Sequence, residues 1–221
     1  MIATALRRRL RALIADTSAV AYVEFALTLP VFMTMALGGA EIAHFVTTKM
    51  RVSQLALHIA DHSARIGAGT PLAAKQISEL QINDALTGAG VQSGSLNLFT
   101  NGRVIISSLE PVANPNPTDR YKIGWQRCRG VKNRPSSYGA AGDTNLTGMG
   151  PAGRQIEAPE GGATMFVEIY YEYQPLISAS LAPATSFTEI GAMPVRDRRD
   201  LTQIYNSEAV QASTCNRFTA T

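Results

Sequence analysis

Histidine, cysteine and tryptophan are scarce in this chain of 221 residues: three, two and one. The histidines are His44, His58 and His62. His58 and His62 stand four apart and would share a helical face, but a zinc-protease helix carries Glu directly after the first His, and Ile59 stands there. No phosphate-binding loop and no GxGxxG opening a helix is present, and a nucleophile–His–acid triad would need a long reach from these histidines. Glu168 and Glu172 fall on one face of a strand-like run and read as solvent-facing charges. Nothing here calls for an enzyme, a metal or a cofactor. Cys128 and Cys215 form no CxxC pattern and do not read as a metal site. Charge is also sparse, at 17% of residues, with 20 basic against 17 acidic. Arg7, Arg8, Arg9 and Arg11 exceed that difference by themselves, and the later basic residues are scattered. A nucleic-acid partner would need a concentrated basic face, so none is expected.

One long apolar run is present. Ala19 to Ala43 reads AVAYVEFALTLPVFMTMALGGAEIA, charged only at Glu24 and Glu41. As a helix this spans about 37 Å, enough for a hydrocarbon core of about 30 Å with some tilt. The arginine cluster precedes it, so the positive-inside bias puts the N-terminus in the cytoplasm and the rest of the chain outside. Residues 1–18 then form a basic leader, 19–43 a transmembrane helix and 44–221 an extracytoplasmic domain. A cleaved secretory signal with Gly38-Gly39-Ala40 as its small-residue site competes with this reading. Glu24, early in the run, and the length of the run argue against it. A buried core helix of a cytoplasmic protein is the other alternative, and the arginine cluster opposes it. In an exported domain two cysteines read best as one disulfide, Cys128–Cys215; two buried free thiols are the alternative. The disulfide would close a loop of about 88 residues, for which chain entropy gives about 4–5 kcal/mol as an upper figure.

The segment Ala19-Val20-Ala21-Tyr22-Val23-Glu24-Phe25-Ala26-Leu27-Thr28-Leu29-Pro30, followed by Gly38-Gly39-Ala40-Glu41, resembles the TadE/TadG-like proteins of the bacterial Tad (tight adherence, Flp-type) pilus system. Trp125-Gln126-Arg127-Cys128 and Val195-Arg196-Asp197-Arg198-Arg199 look like the exported half of such proteins, with less specificity. The resemblance implies a single-pass inner-membrane protein with a periplasmic body, packed through its N-terminal helix against other pilin subunits. It implies membrane-assembly roles for Glu24, Phe25, Pro30 and Glu41. It also implies a prepilin-peptidase site at the Ala19–Val20 bond, where Ala19 departs from the usual glycine. A cleaved form starting at Val20 and an uncleaved TadG-like form both stay open. In pilin-like assemblies the glutamate at the Glu24 position can neutralise a neighbour's N-terminal ammonium.

Beyond the span, Phe45, Val52, Ile59 and Ile66 recur every seven residues, with Ile42, Leu55 and Ala56 beside them. The anchor helix is therefore expected to run on to about residue 66, kinked at Pro30 and ended by Gly67-Ala68-Gly69. Its stripe suits either the chain's own sheet or partner helices. Thr70-Pro71 predicts a short second helix to about Leu86, closed by Gly88 and Gly90. Asn101-Gly102 predicts a hairpin between Ser95–Thr100 and Arg103–Leu109. Further strands are expected at Tyr121–Cys128, Thr164–Tyr173 and Phe187–Val195. Residues 129–162, rich in Gly, Pro, Ser and Asn, read as a surface excursion or a partner-binding segment. The fold class is α+β: a long N-terminal helix, a short helix and an antiparallel sheet, a pilin-like architecture. The expected function is that of a minor pseudopilin or assembly component of a Tad-type pilus, with a membrane-anchored or secreted ligand-binding module as the alternative.

Overall fold

The computed structural model describes Ala12, residues 18–70 and residues 73–220. The arginine cluster and Pro71 lie outside these. Helix α1, Ser18–Arg65, passes through Pro30 without interruption. The chain divides into two compact units. One holds the first part of α1, up to His44, together with Pro175–Pro183; the other holds Phe45–Gln174 and Ala184–Thr221.

In the second unit, α2 (Glu79–Ser93) and a single helical turn α3 (Leu98–Asn101) precede four strands: β1 (Gly102–Pro111), β2 (Tyr121–Arg129), β3 (Thr164–Glu172) and β4 (Ser186–Pro194). The sheet is wholly antiparallel, in the order β2-β1-β3-β4. The fold class is therefore α+β, as the run of helices followed by strands predicts. Val52, Leu55, Ala56 and Ile59 of α1 are buried in one cluster with Val104, Ile106, Val167 and Ile169 of the sheet. The heptad stripe thus serves the chain's own sheet. Residue 191 must be glycine for this contact, because a Cβ there would lie 2.5 Å from the Ala56 carbonyl.

Helix α1 ends where its last carbonyls find a side-chain donor. Arg199 donates to the carbonyl oxygens of Ser63, Ala64 and Ile66 at 3.1, 3.2 and 2.7 Å. These are groups that a helix end leaves without intrahelical partners. Gly67 then takes a left-handed φ of 136°.

Three local expectations need correction. Glu168 does not face solvent: it is buried, and its carboxylate accepts Ser136 Oγ–H at 2.8 Å and Ser137 N–H at 3.1 Å. The second helix starts at Glu79, later than Thr70-Pro71 suggests. Residues 75–79 instead bond in extended form to a later segment, through Lys75 N–H to the Arg198 carbonyl at 2.7 Å and Glu79 N–H to the Tyr205 carbonyl at 2.9 Å. The real start is a capping box, in which Ser78 and Gln81 each satisfy the other's backbone N–H. Gly88 and Gly90 do not end the helix. Gly90 is small because a Cβ would meet the Phe99 ring at 2.7 Å. Nor is there a hairpin at Asn101-Gly102. Both edges of β1 are taken, by β2 and β3, so Ser95–Thr100 has no strand to join. Gly102 is required by the close approach of the Tyr170 carbonyl.

The 129–162 segment covers the other face of the sheet. Tyr138, Leu146, Met149, Ile156 and Ala158 pack with Leu109, Ile123 and Phe166. Tyr121 and Leu146 exchange backbone hydrogen bonds at 2.8 and 2.9 Å. With both faces covered, β1 is buried over nearly its whole length.

Candidate membrane-assembly site

Helix α1 between Val20 and Ala40 presents its side chains outward: Val20, Tyr22, Val23, Phe25, Leu27, Val31, Phe32 and Met35 are all exposed. This stretch makes α1 the one helix among the described residues long and apolar enough to cross a membrane. Its hydroxyls are satisfied within the helix. Thr28 Oγ1 donates to the Glu24 carbonyl at 2.9 Å, and Thr34 Oγ1 to the Pro30 carbonyl at 2.7 Å. That suits a setting without water, where hydroxyls bond back to the preceding turn. Glu24 is the only charged residue from Ser18 to Ala40. Its side chain is exposed and makes no ion pair among the described residues. Ala19 and Val20 lie in the first turn, Phe25 one residue after Glu24, and Pro30 one and a half turns further on.

Glu41 differs sharply from Glu24. It is 0% exposed. Its carboxylate accepts the backbone N–H groups of Leu176, Ile177 and Ser178 at 3.2, 2.7 and 3.4 Å. Sequence reasoning singled out Glu41 but missed this partner segment. The available signal was charge: between Glu172 and Glu189 lie sixteen uncharged residues.

In the second unit the two motifs flagged in the sequence carry tertiary ties. Arg127 forms a forked ion pair with Glu79, with Nε to Oε2 at 2.9 Å. Gln126 reaches Ser107 Oγ and the Gly139 carbonyl. Cys128 is bonded to Cys215, so the predicted disulfide is present. Arg199, from the second motif, holds the end of α1, and burial pushes its guanidinium down to about 10. Lys75 pairs with Asp197 at 2.6 Å and holds that exposed carboxylate below its ordinary range.

A cavity of about 390 Å³ lies over the covered face of the sheet, lined by Arg103, Gln126, Arg134, Asp143 and the disulfide. Several of its polar groups are engaged, while the buried Arg103 Nε has no hydrogen-bond partner among the described residues. Arg103 donates to the carbonyls of Gly130, Arg217 and Cys215 at 3.0, 3.1 and 2.5 Å, and stacks on the Phe218 ring at 4.3 Å. Asp143 accepts the Ala140 N–H at 2.8 Å.

Residues 19–61 match the family model described as TadE-like protein. The match lies wholly within α1, and it meets the resemblance read from Ala19–Glu41. No curated protein and no solved structure gives a significant match to the chain.

Proposed function

We propose, from the TadE-like character of α1, that this chain is a minor pseudopilin or assembly component of a Tad-type pilus. In this reading α1 crosses the inner membrane once, with the N-terminus cytoplasmic and the sheet domain periplasmic. The observation that carries it is Glu24, a lone exposed carboxylate on an apolar helix with no ion pair among the described residues. A charge in hydrocarbon is costly and persists where a partner supplies compensation. The partner with the right chemistry is a cation on a neighbouring subunit, such as the ammonium that cleavage at Ala19–Val20 by prepilin peptidase would create. Pairing in low dielectric is strong relative to water, although desolvation offsets much of it.

Glu24→Ala tests this. Membrane fractionation is expected to remain normal, because removing a charge eases insertion. Pilus counts should fall by about tenfold or more, the factor that a loss of roughly 1.4 kcal/mol in subunit pairing produces. Normal counts would overturn the role. The N-terminus of the mature chain separates the forms: a start at Val20 supports processing, an uncleaved chain supports the TadG-like variant, and a start at Glu41 refutes the anchor.

A further inference from the structure

Irregular chain is kept out of a bilayer mainly by its backbone, since an N–H group without an acceptor is costly in hydrocarbon. Pro175–Pro183 has largely escaped that constraint. The N–H groups of Leu176, Ile177 and Ser178 go to the Glu41 carboxylate. Ser180 N–H donates to Ser178 Oγ at 3.4 Å. Those of Leu181 and Ala182 donate to the carbonyls of Ser178 and Ala179 at 3.1 and 3.3 Å. Pro175 and Pro183 have no N–H to satisfy.

Side chains tell the same story. The sixteen residues from Tyr173 to Thr188 carry no charge. Leu176 and Ile177 are 59% and 41% exposed. The loop shares its compact unit with the first part of α1, whose exposed surface is mostly apolar and whose last sixteen residues before Glu41 carry no charge. A carboxylate wholly withdrawn from water, three backbone donors on it and two bare aliphatic side chains make a structured apolar projection fixed to the span.

We propose that Pro175–Pro183 is a second membrane contact. It sits at the headgroup–acyl boundary of the leaflet at the Glu41 end of the span, with Leu176 and Ile177 among the acyl chains and Glu41 as the clamp. A single span can slide and rotate about its axis; a second contact fixed to it sets both depth and rotation. Lipid is the occupant because the loop continues the surface of the membrane helix within one unit and offers no charge for a polar partner.

The inference rests on the membrane reading of α1, so the test carries a probe for each. In a Trp125→Phe background, full-length protein bearing Leu27→Trp or Ile177→Trp is reconstituted into vesicles of phosphatidylethanolamine and phosphatidylglycerol. The acyl chains carry bromine at shallow or deep positions, and disulfide formation serves as the folding check. Leu27→Trp should be quenched by the deep label. Ile177→Trp should be quenched about twofold more by the shallow label than by the deep one, as suits a group about 5–10 Å into the boundary. Glu41→Gln should remove the loop's lipid quenching and open it to iodide, while the Leu27→Trp signal holds. If Leu27→Trp itself is unquenched, the anchor reading falls and the loop contact with it. A quenched Leu27→Trp with an iodide-accessible Ile177→Trp overturns the loop contact alone. Blue-shifted emission at Ile177→Trp that neither bromine quenches places the loop against protein, and also overturns it. An unchanged Glu41→Gln signal removes the clamp. Leu176→Trp repeats the measurement should Ile177→Trp fail to fold.

Discussion

Glu110 is buried at the end of β1 with a hydrogen bond from Ser108 Oγ at 2.8 Å and Lys122 Nζ at 3.7 Å. Those contacts favour its charge, but desolvation outweighs them and raises its pKa above the ordinary carboxylate value. The sign follows. Between the ordinary and the raised value the folded state binds more protons than the unfolded one, so stability falls as pH rises through that window. Below it the penalty is absent; above it the penalty is full. Glu110→Gln cannot ionise and keeps an acceptor for Ser108. Denaturant melts should find the variant more stable than the parent near neutral pH, with the gap closing in acid. The exposed Lys122 loses a pairing of at most about 0.5–1 kcal/mol, too little to reverse the order. A gap independent of pH would show that Glu110 binds its proton equally well in the folded and unfolded states. Asp197 and Asp200, whose pKa values are lowered by hydrogen bonds from Lys75 and from Tyr205 respectively, act in the opposite sense in both proteins and cancel in the difference. None of this could be read from the sequence, where Glu110 is one acidic residue beside a proline. Glu24 stood out in the sequence because its apolar setting is made by its neighbours along the chain. Glu41 was legible as a position but not as a clamp, since its partners lie more than 130 residues away.

Among the elements, what depended on local periodicity was readable. The stripe on α1 and the runs that became β2, β3 and β4 all rest on spacing within a single element. What depended on neighbours was not. Glycines show the difference. Gly88 and Gly90 look alike as helix terminators, yet the helix runs through both. A Cβ at Gly88 would meet nothing within 4 Å, while one at Gly90 meets the Phe99 ring. Gly191 is the sharpest case, with the α1 backbone at Ala56 and Leu57 lying 2.5–2.7 Å from where a Cβ would stand. The atoms in the way are backbone, which cannot rotate aside, so helix and strand would have to separate. Gly191→Val should destabilise the protein by about 1–3 kcal/mol through overpacking. Gly88→Ala, in open space within a helix, should stabilise it by about 0.5–1 kcal/mol. Chemical denaturation of the detergent-solubilised protein measures both. Equal effects at the two sites would mean that the contact of α1 with β4 is not what confines residue 191.

For the whole molecule, the disulfide links fold to location. The C-terminal tail runs beside β2, an edge strand, with Cys128 N–H donating to the Ser213 carbonyl and Gly130 N–H to that of Thr219, at 2.7 and 2.8 Å. Such cover protects an edge from pairing with other chains. The Cys128–Cys215 bond makes that cover covalent, and bonds of this kind persist in oxidising compartments and are rare in the cytosol. The redox state of the two cysteines therefore reports on which side of the membrane the domain stands, and that depends on α1. In cells producing the intact chain, a thiol-reactive polymer added after denaturation should label neither cysteine until a reductant is supplied, and both afterwards. Replacing Leu27 and Phe32 by arginine puts two charges into the centre of the span, each disfavoured by about 2.5–3.5 kcal/mol on insertion scales. The chain should then stay in the cytosol, and both cysteines should label without reductant. Labelling of both cysteines in the intact chain would place the domain in the reducing compartment and reverse the orientation proposed for α1. An oxidised pair in the arginine variant would mean that export does not depend on the apolar surface of the helix.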